Sequence, residues 1–174
     1  KDMTRLFSRC SKLTSLDVTN LNTENVTNMS GMSAMRSVLT SIDVSSFHTN
    51  EVTDMSQMFS GCSKLTAINL SQFDTSKVTS MHEMFKDCFS LITIPSLNTS
   101  SVNSMYRTFS GCSSLTSIPY IDTSNVMNIQ EMFNECRSLV SVPLFDTNKT
   151  RSFEFTFNNC SSLTSVPAFD TSNV

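Results

Sequence analysis

Apolar residues return along this chain in a fixed phrase, most complete at residues 78–91, where Val78, Met81, Met84, Phe85, Cys88 and Leu91 stand among mostly polar neighbours. Steps of three or four residues put these side chains on one face of a short helix. Asp74, Thr75 and Ser76, just ahead, are types whose side-chain oxygens accept from the free amides of a first helical turn. The spacing therefore predicts a helix of about three turns. Gly61 and Gly111, in the place just before the Cys, suit a left-handed helix end; Asp87, Glu135 and Asn159 hold the same place elsewhere. The period then switches to two. In residues 65–70, Ile68 and Leu70 alternate with polar neighbours, which predicts a short strand.

The phrase repeats. The Met that opens it occurs at Met3, Met29, Met55, Met81 and Met105 and is replaced by Ile129 and Phe153, in steps of 26, 26, 26, 24, 24 and 24 residues. A Leu column from Leu13 to Leu163 and a Thr column from Thr23 to Thr171 keep the same steps. Units of 1–26, 27–52, 53–78, 79–102, 103–126, 127–150 and 151–174 account for every residue. One helix and one strand per unit cannot bury their own apolar faces, so the units must stack. The expected core is a set of ladders, led by Phe7, Phe59, Phe85, Phe109, Phe133 and Phe157. The second unit is the weak one, with Ser33 in the Phe place, Arg36 in the Cys place, and Met32 and Met35 expected to fill the gap. Terminal repeats of a stack normally diverge into polar caps, yet Lys1 and Val174 fall inside ordinary units, so the chain reads as a piece of a longer protein with uncapped ends open to self-association.

From the fourth unit on, two residues are lost and a Pro is gained, at Pro95, Pro119, Pro143 and Pro167. Proline has no amide to give a ladder, which predicts a longer-stranded and a shorter-stranded half of one sheet.

The run Leu13-Thr-Ser-Leu16-Asp-Val18, repeated as Leu65-Thr-Ala-Ile68-Asn-Leu70, resembles the strand signature of leucine-rich repeats. The whole unit, with M-F-x-x-C, the Leu and the D-T-S-x-V segment, resembles the BspA-type bacterial surface-protein repeat of that superfamily. The resemblance implies an α/β solenoid: a right-handed stack of seven coils with a parallel β-sheet on one face and short helices on the other. It also implies an extracellular or cell-surface setting and a role in adhesion, with no catalytic residues to carry over. The units of 24 residues depart from the family's length of about 26.

Composition narrows the chemistry without naming it. The formal charge of −3 lacks any Lys or Arg block, so the electrostatic footprint of a nucleic-acid binder is missing. No apolar run approaches the roughly 20 residues of a membrane span, so no membrane insertion is expected of this segment. The cysteines at Cys10, Cys62, Cys88, Cys112, Cys136 and Cys160 share one place in the unit, which predicts a ladder of buried, reduced thiols rather than three disulfides. Zinc is disfavoured because there is no C-x-x-C pair and His48 and His82 lie outside the column. Asn22, His48, Asp74, Asn98, Asp122, Asp146 and Asp170 form a further column, readable as helix caps or, for its last acids, as a Ca²⁺ ladder. With two His in the chain, no nucleophile, base and orienter set can be assembled, so no enzyme and no cofactor is expected.

The function read from these features is non-catalytic: a surface repeat protein that binds a protein or glycan ligand, of host or matrix origin, through its sheet face. The alternatives are a structural spacer in a surface layer, filament or virion, and a hydroxyl lattice on that face. Alternation along the strands turns Ser15, Asp17, Ser41, Asp43 and Asn69 outward, with Tyr120 the best single anchor because exposed aromatics tend to dominate interfaces.

Overall fold

The chain, seen in a computed structural model, is described over residues 1–10, 12–35 and 38–174. Its organising feature is a backbone ladder, and the ladder runs where the periodicity predicted helices. In the third unit the amides of Met55, Gln57, Phe59 and Gly61 donate to the carbonyls of Ser80, His82, Met84 and Lys86 in the next unit, at 3.2, 2.8, 2.9 and 2.7 Å. The amides of Met58, Ser60 and Cys62 turn back to the carbonyls three residues earlier, Met55, Gln57 and Phe59, at 3.3, 3.1 and 3.1 Å. The carbonyls of Ser56, Met58 and Ser60 accept from Gly31, Ser33 and Met35 of the preceding unit. No amide from Gln57 to Cys62 is left over, which a buried backbone requires.

No α-helix occurs among the described residues, and this corrects the helical half of the expected α/β architecture. A helix spends all its interior amides within itself; this segment spends half on its neighbours. The device is a left-handed residue at every fourth position. Gln57 and Gly61 have φ of 58° and 72°, and their counterparts Glu83 and Asp87, Arg107 and Gly111, and Glu131 and Glu135 are also positive. Each such residue breaks the helical run of donors, so alternate groups point sideways along the stack. Parallel bridges beside these turns join Asp2 to Asn28, Asn28 to Asp54, Asp54 to Ser80, Ser80 to Ser104, and Ser104 to Asn128.

The predicted strands are corrected in the opposite sense. The side chains alternate as expected, with Ile68 and Leu70 buried and Ala67 and Asn69 exposed. The backbone, however, is not a paired sheet: links between units are sparse, as from Ile92 to Thr66, Thr116 to Ile92 and Val140 to Thr116, each 3.2 Å. The shortening after the third unit is likewise not a matter of strand length. In the longer units the two extra residues make a turn closed by Leu21 on Val18, Phe47 on Val44 and Phe73 on Leu70, and the proline-containing units omit it.

Between the two sides lie the ladders. Phe59, Phe85, Phe109, Phe133 and Phe157 stack in sequence with centroids 5.5–5.8 Å apart and planes within 15°. Leu39, Leu65, Leu91, Leu115 and Leu139 are fully buried beside them. Burying each large side chain is worth roughly 1.5–3 kcal/mol, and the stacked rings add to it. The weak second unit is visible: Ser33 is buried in the Phe place and its hydroxyl has no hydrogen-bond partner. Met32 is fully buried, like Met58, Met84 and Met132 at the same place in other units, and Met35 does not fill the gap: its backbone is left-handed and its side chain is 54% exposed. Arg36, in the Cys place, lies outside the described residues.

Candidate functional site

Two internal columns that read as spacing markers in the sequence turn out to be hydrogen-bonded seams. The Sγ–H of Cys88 donates to the carbonyl of Phe59 in the preceding unit, Cys112 to Phe85, and Cys136 to Phe109, each at 3.1 Å. Those carbonyls also accept the amide three residues on, so the thiol takes up a second lone pair that a methyl group would leave unmet. Burial pushes the Cys88 and Cys112 thiols far up and that of Cys160 to about 11. The column is buried from Cys62 to Cys136, but Cys10 is exposed and Cys160 half-exposed, which corrects the expectation for the two ends. The second seam is the Thr column. Buried Thr75, Thr99, Thr123 and Thr147 donate their hydroxyls to the carbonyls of Asn98, Asp122, Asp146 and Asp170, at 2.8–2.9 Å.

The acidic columns are turn caps. Asp74, Asp122, Asp146 and Asp170 accept the amide two residues on, at 2.9–3.1 Å. This is the local bonding expected of a cap, although the segment capped is a turn and not a helix. Asp17, Asp43 and Asn69, offered by the sequence as ligand-binding residues, do the same for Thr19, Ser45 and Ser71 at 3.0 Å. The hydrogen bonds from Thr19 and Ser45 hold the Asp17 and Asp43 carboxyls below their ordinary range. Among the described residues, no group of three or more His, Cys, Asp and Glu is placed to hold a metal ion.

Ser15, Asp17, Ser41, Asp43, Asn69 and Tyr120 are all exposed. They do not form one cluster. Tyr120 lies three units beyond Asp43, roughly 15 Å along the stack at strand-like spacing. It is 70% exposed, and Leu144, 62% exposed, holds the same place in the next unit. The two border a groove of about 550 Å³ whose walls include Pro143, Asp146, Asn148 and Asp170. The proline column and Tyr120 already marked this end as the more apolar one.

A second surface carried no advance signal. On the turn side, side chains of the left-handed column are bonded from unit to unit: Gln57 to the buried Glu83 at 2.8 Å and Arg107 to Glu131 at 2.5 Å, with Arg107 also lying over the Tyr106 ring. Pairings of this kind depend on which units are neighbours, and no local motif encodes them. A groove of about 510 Å³ opens beside this column at Gly111.

The family model described as "Mycoplasma protein of unknown function, DUF285" matches residues 1–118 and 89–174. None of the curated proteins matches. Among solved structures, the fold is similar to a leucine-rich repeat protein of T. pallidum, TpLRR (TM-score 0.59, 23% identity, covering 79% of this chain and 60% of that one). It is similar also to a leucine-rich repeat protein from Eubacterium ventriosum ATCC 27560 (TM-score 0.60, 23% identity, 82% of this chain and 36% of that one). A third, from Bacteroides ovatus ATCC 8483, has a TM-score of 0.50 at 23% identity and covers 92% of this chain and 50% of that one. The chain thus spans 36–60% of the length of these proteins. The fold is that of a leucine-rich-repeat stack, in agreement with the resemblance to BspA-type repeats.

Proposed function

The chain belongs to the family described as DUF285, and on that premise we propose that it is a non-catalytic surface protein that binds a protein or glycan partner through the face carrying Tyr120 and Leu144. The observation that supports this reading is the side-by-side exposure of those two side chains at 70% and 62%, on the rim of a groove with polar walls. Large exposed apolar side chains in neighbouring units cost solubility unless a partner covers them. An aromatic anchor ringed by Asp and Asn acceptors suits a protein loop or a sugar face. The stack supplies rigidity, so the partner meets a surface that is already ordered and the entropic cost of binding is lowered.

The test is binding of the purified chain to immobilised matrix proteins and to a glycan array, with Tyr120→Ser/Leu144→Ser beside the unaltered chain. Loss of binding in the double variant, with the circular dichroism unchanged, supports the reading. Retained binding in the variant, or no binding by the unaltered chain to either set, overturns it.

A further inference from the structure

We infer that the turn-side groove at Gly111 receives an arginine side chain of a protein partner, held by Asp87. The argument begins with charge pairing. The cations around the groove are each taken by a glutamate: Lys86 by Glu83 at 3.2 Å, Arg107 by Glu131 at 2.5 Å, and Arg137 by Glu135 at 2.7 Å. Asp87 remains. Among the described residues, nearly every carboxylate accepts a hydrogen bond from a side chain or a turn amide; Glu24 and Asp87 do not, and Glu24 is exposed. Asp87 is half-buried. Burial penalises its charged form and raises its pKa; the charges of Lys86 and Arg107 favour the anion and that of Glu83 opposes it, and together they do not offset the burial. A half-buried anion without a donor is a vacancy for a cation.

Geometry aims that vacancy into the groove. Asp87 and Gly111 occupy the same left-handed place in neighbouring units, with φ of 58° and 78°. Gly111, like Gly61 two units earlier, carries no side chain in this column, but only for Gly111 is the neighbouring residue of the preceding unit a carboxylate: a Cβ there would stand 2.5 Å from Asp87 Oδ1. The carboxylate therefore lies against the bare backbone of Gly111, and both residues line the groove. Phe89, 48% exposed, stands on the rim, where it can cover the aliphatic stem of a long side chain. A guanidinium meets a carboxylate with two parallel N–H donors and is more weakly hydrated than an ammonium, so arginine fits better than lysine. This site shares no lining residue with the groove of the proposed binding face and does not depend on that reading.

The test uses Nα-acetyl-arginine-methylamide as probe, followed by amide NMR shifts of the whole chain. The expected result is saturable shifts at Gly111 and its neighbours, weakened roughly tenfold or more by Asp87→Asn. The citrulline analogue, which has the same shape but no charge, should give no saturable shift on the unaltered chain. Equal shifts from citrulline, undiminished binding in Asp87→Asn, or no saturation with the arginine probe overturns the inference. The citrulline comparison keeps the test decisive even if the variant does not fold.

Discussion

Removing the ring of Phe109 tests the stacked core where it is most complete. Phe109 is 4% exposed and lies between Phe85 and Phe133, at centroid separations of 5.7 and 5.5 Å and interplanar angles of 8° and 11°. Truncation to Ala should cost roughly 3–5 kcal/mol as a buried Phe. Two face-to-face neighbours, each pair worth roughly 0.5–1.5 kcal/mol beyond burial, place it at the upper end. Phe109→Leu keeps most of the volume but neither ring contact, so its cost should be intermediate, about 1–3 kcal/mol. The exposed Lys64→Ala should stay within about 0.5 kcal/mol. With a urea slope of about 2 kcal/mol per molar, the Ala variant should lower the midpoint by about 2 M and the Leu variant by about half as much. A Phe109→Ala midpoint no lower than that of Lys64→Ala would refute the stacked column. Equal midpoints for Ala and Leu would refute the contribution of the rings.

Ser33→Ala should leave stability unchanged or raise it by about 1 kcal/mol, because the buried hydroxyl it removes has no partner; a loss in the same titration would reveal a bond. A thiol reagent at pH 8 should modify Cys10 at once, Cys160 slowly, and Cys62, Cys88, Cys112 and Cys136 only on unfolding; uniform rates would contradict the seam. In acid, the carboxyls of Asp17, Asp43, Asp74, Asp122 and Asp170 have folded pKa values below the ordinary 3.8. The stability they contribute is present above that value and lost as pH falls through the depressed folded values, so the urea midpoint should hold steady above about pH 5 and decline below about pH 4. Asp87 has the opposite sign: its folded pKa is raised, so Asp87→Asn should stabilise the chain at pH 7 and have no such effect at pH 2.

The repeat, its register and its buried columns were legible because they are patterns of burial, and burial shows as periodicity. The same periodicity misassigned the backbone. Val78, Met81, Met84, Phe85 and Cys88 are buried whether the segment is a helix or a string of turns, since both advance three or four residues between inward positions. What separates the two is the left-handed residue at every fourth place. In the column before the Cys, Gly61 and Gly111 betrayed it. In the other column only Gly31 could have, because Arg5, Gln57, Glu83, Arg107, Glu131 and Phe155 are not residues that announce a positive φ. For the binding surfaces, exposure of Ser15, Asp17 and Tyr120 followed from alternation, but the capping role of Asp17 and Asp43 needed the extra turn, which the sequence presented only as two added residues. The groove at Gly111 was hidden for a different reason: its lining comes from neighbouring units and its charge from which pairs are already satisfied.

The central claim, that the M-x-x-M-F-x-x-C segment hydrogen-bonds sideways and not along itself, is open to direct measurement. Scalar couplings across hydrogen bonds, read in a long-range HNCO experiment on the deuterated chain, report which carbonyl each amide meets. The ladder predicts couplings from the amide of Phe85 to the carbonyl of Thr108, from Asp87 to Ser110, and from Gly111 to Asn134, matching bonds of 2.9, 2.8 and 2.7 Å. Couplings from Phe85 to Met81 and from Asp87 to Glu83, the helical pattern of four residues back, would contradict it.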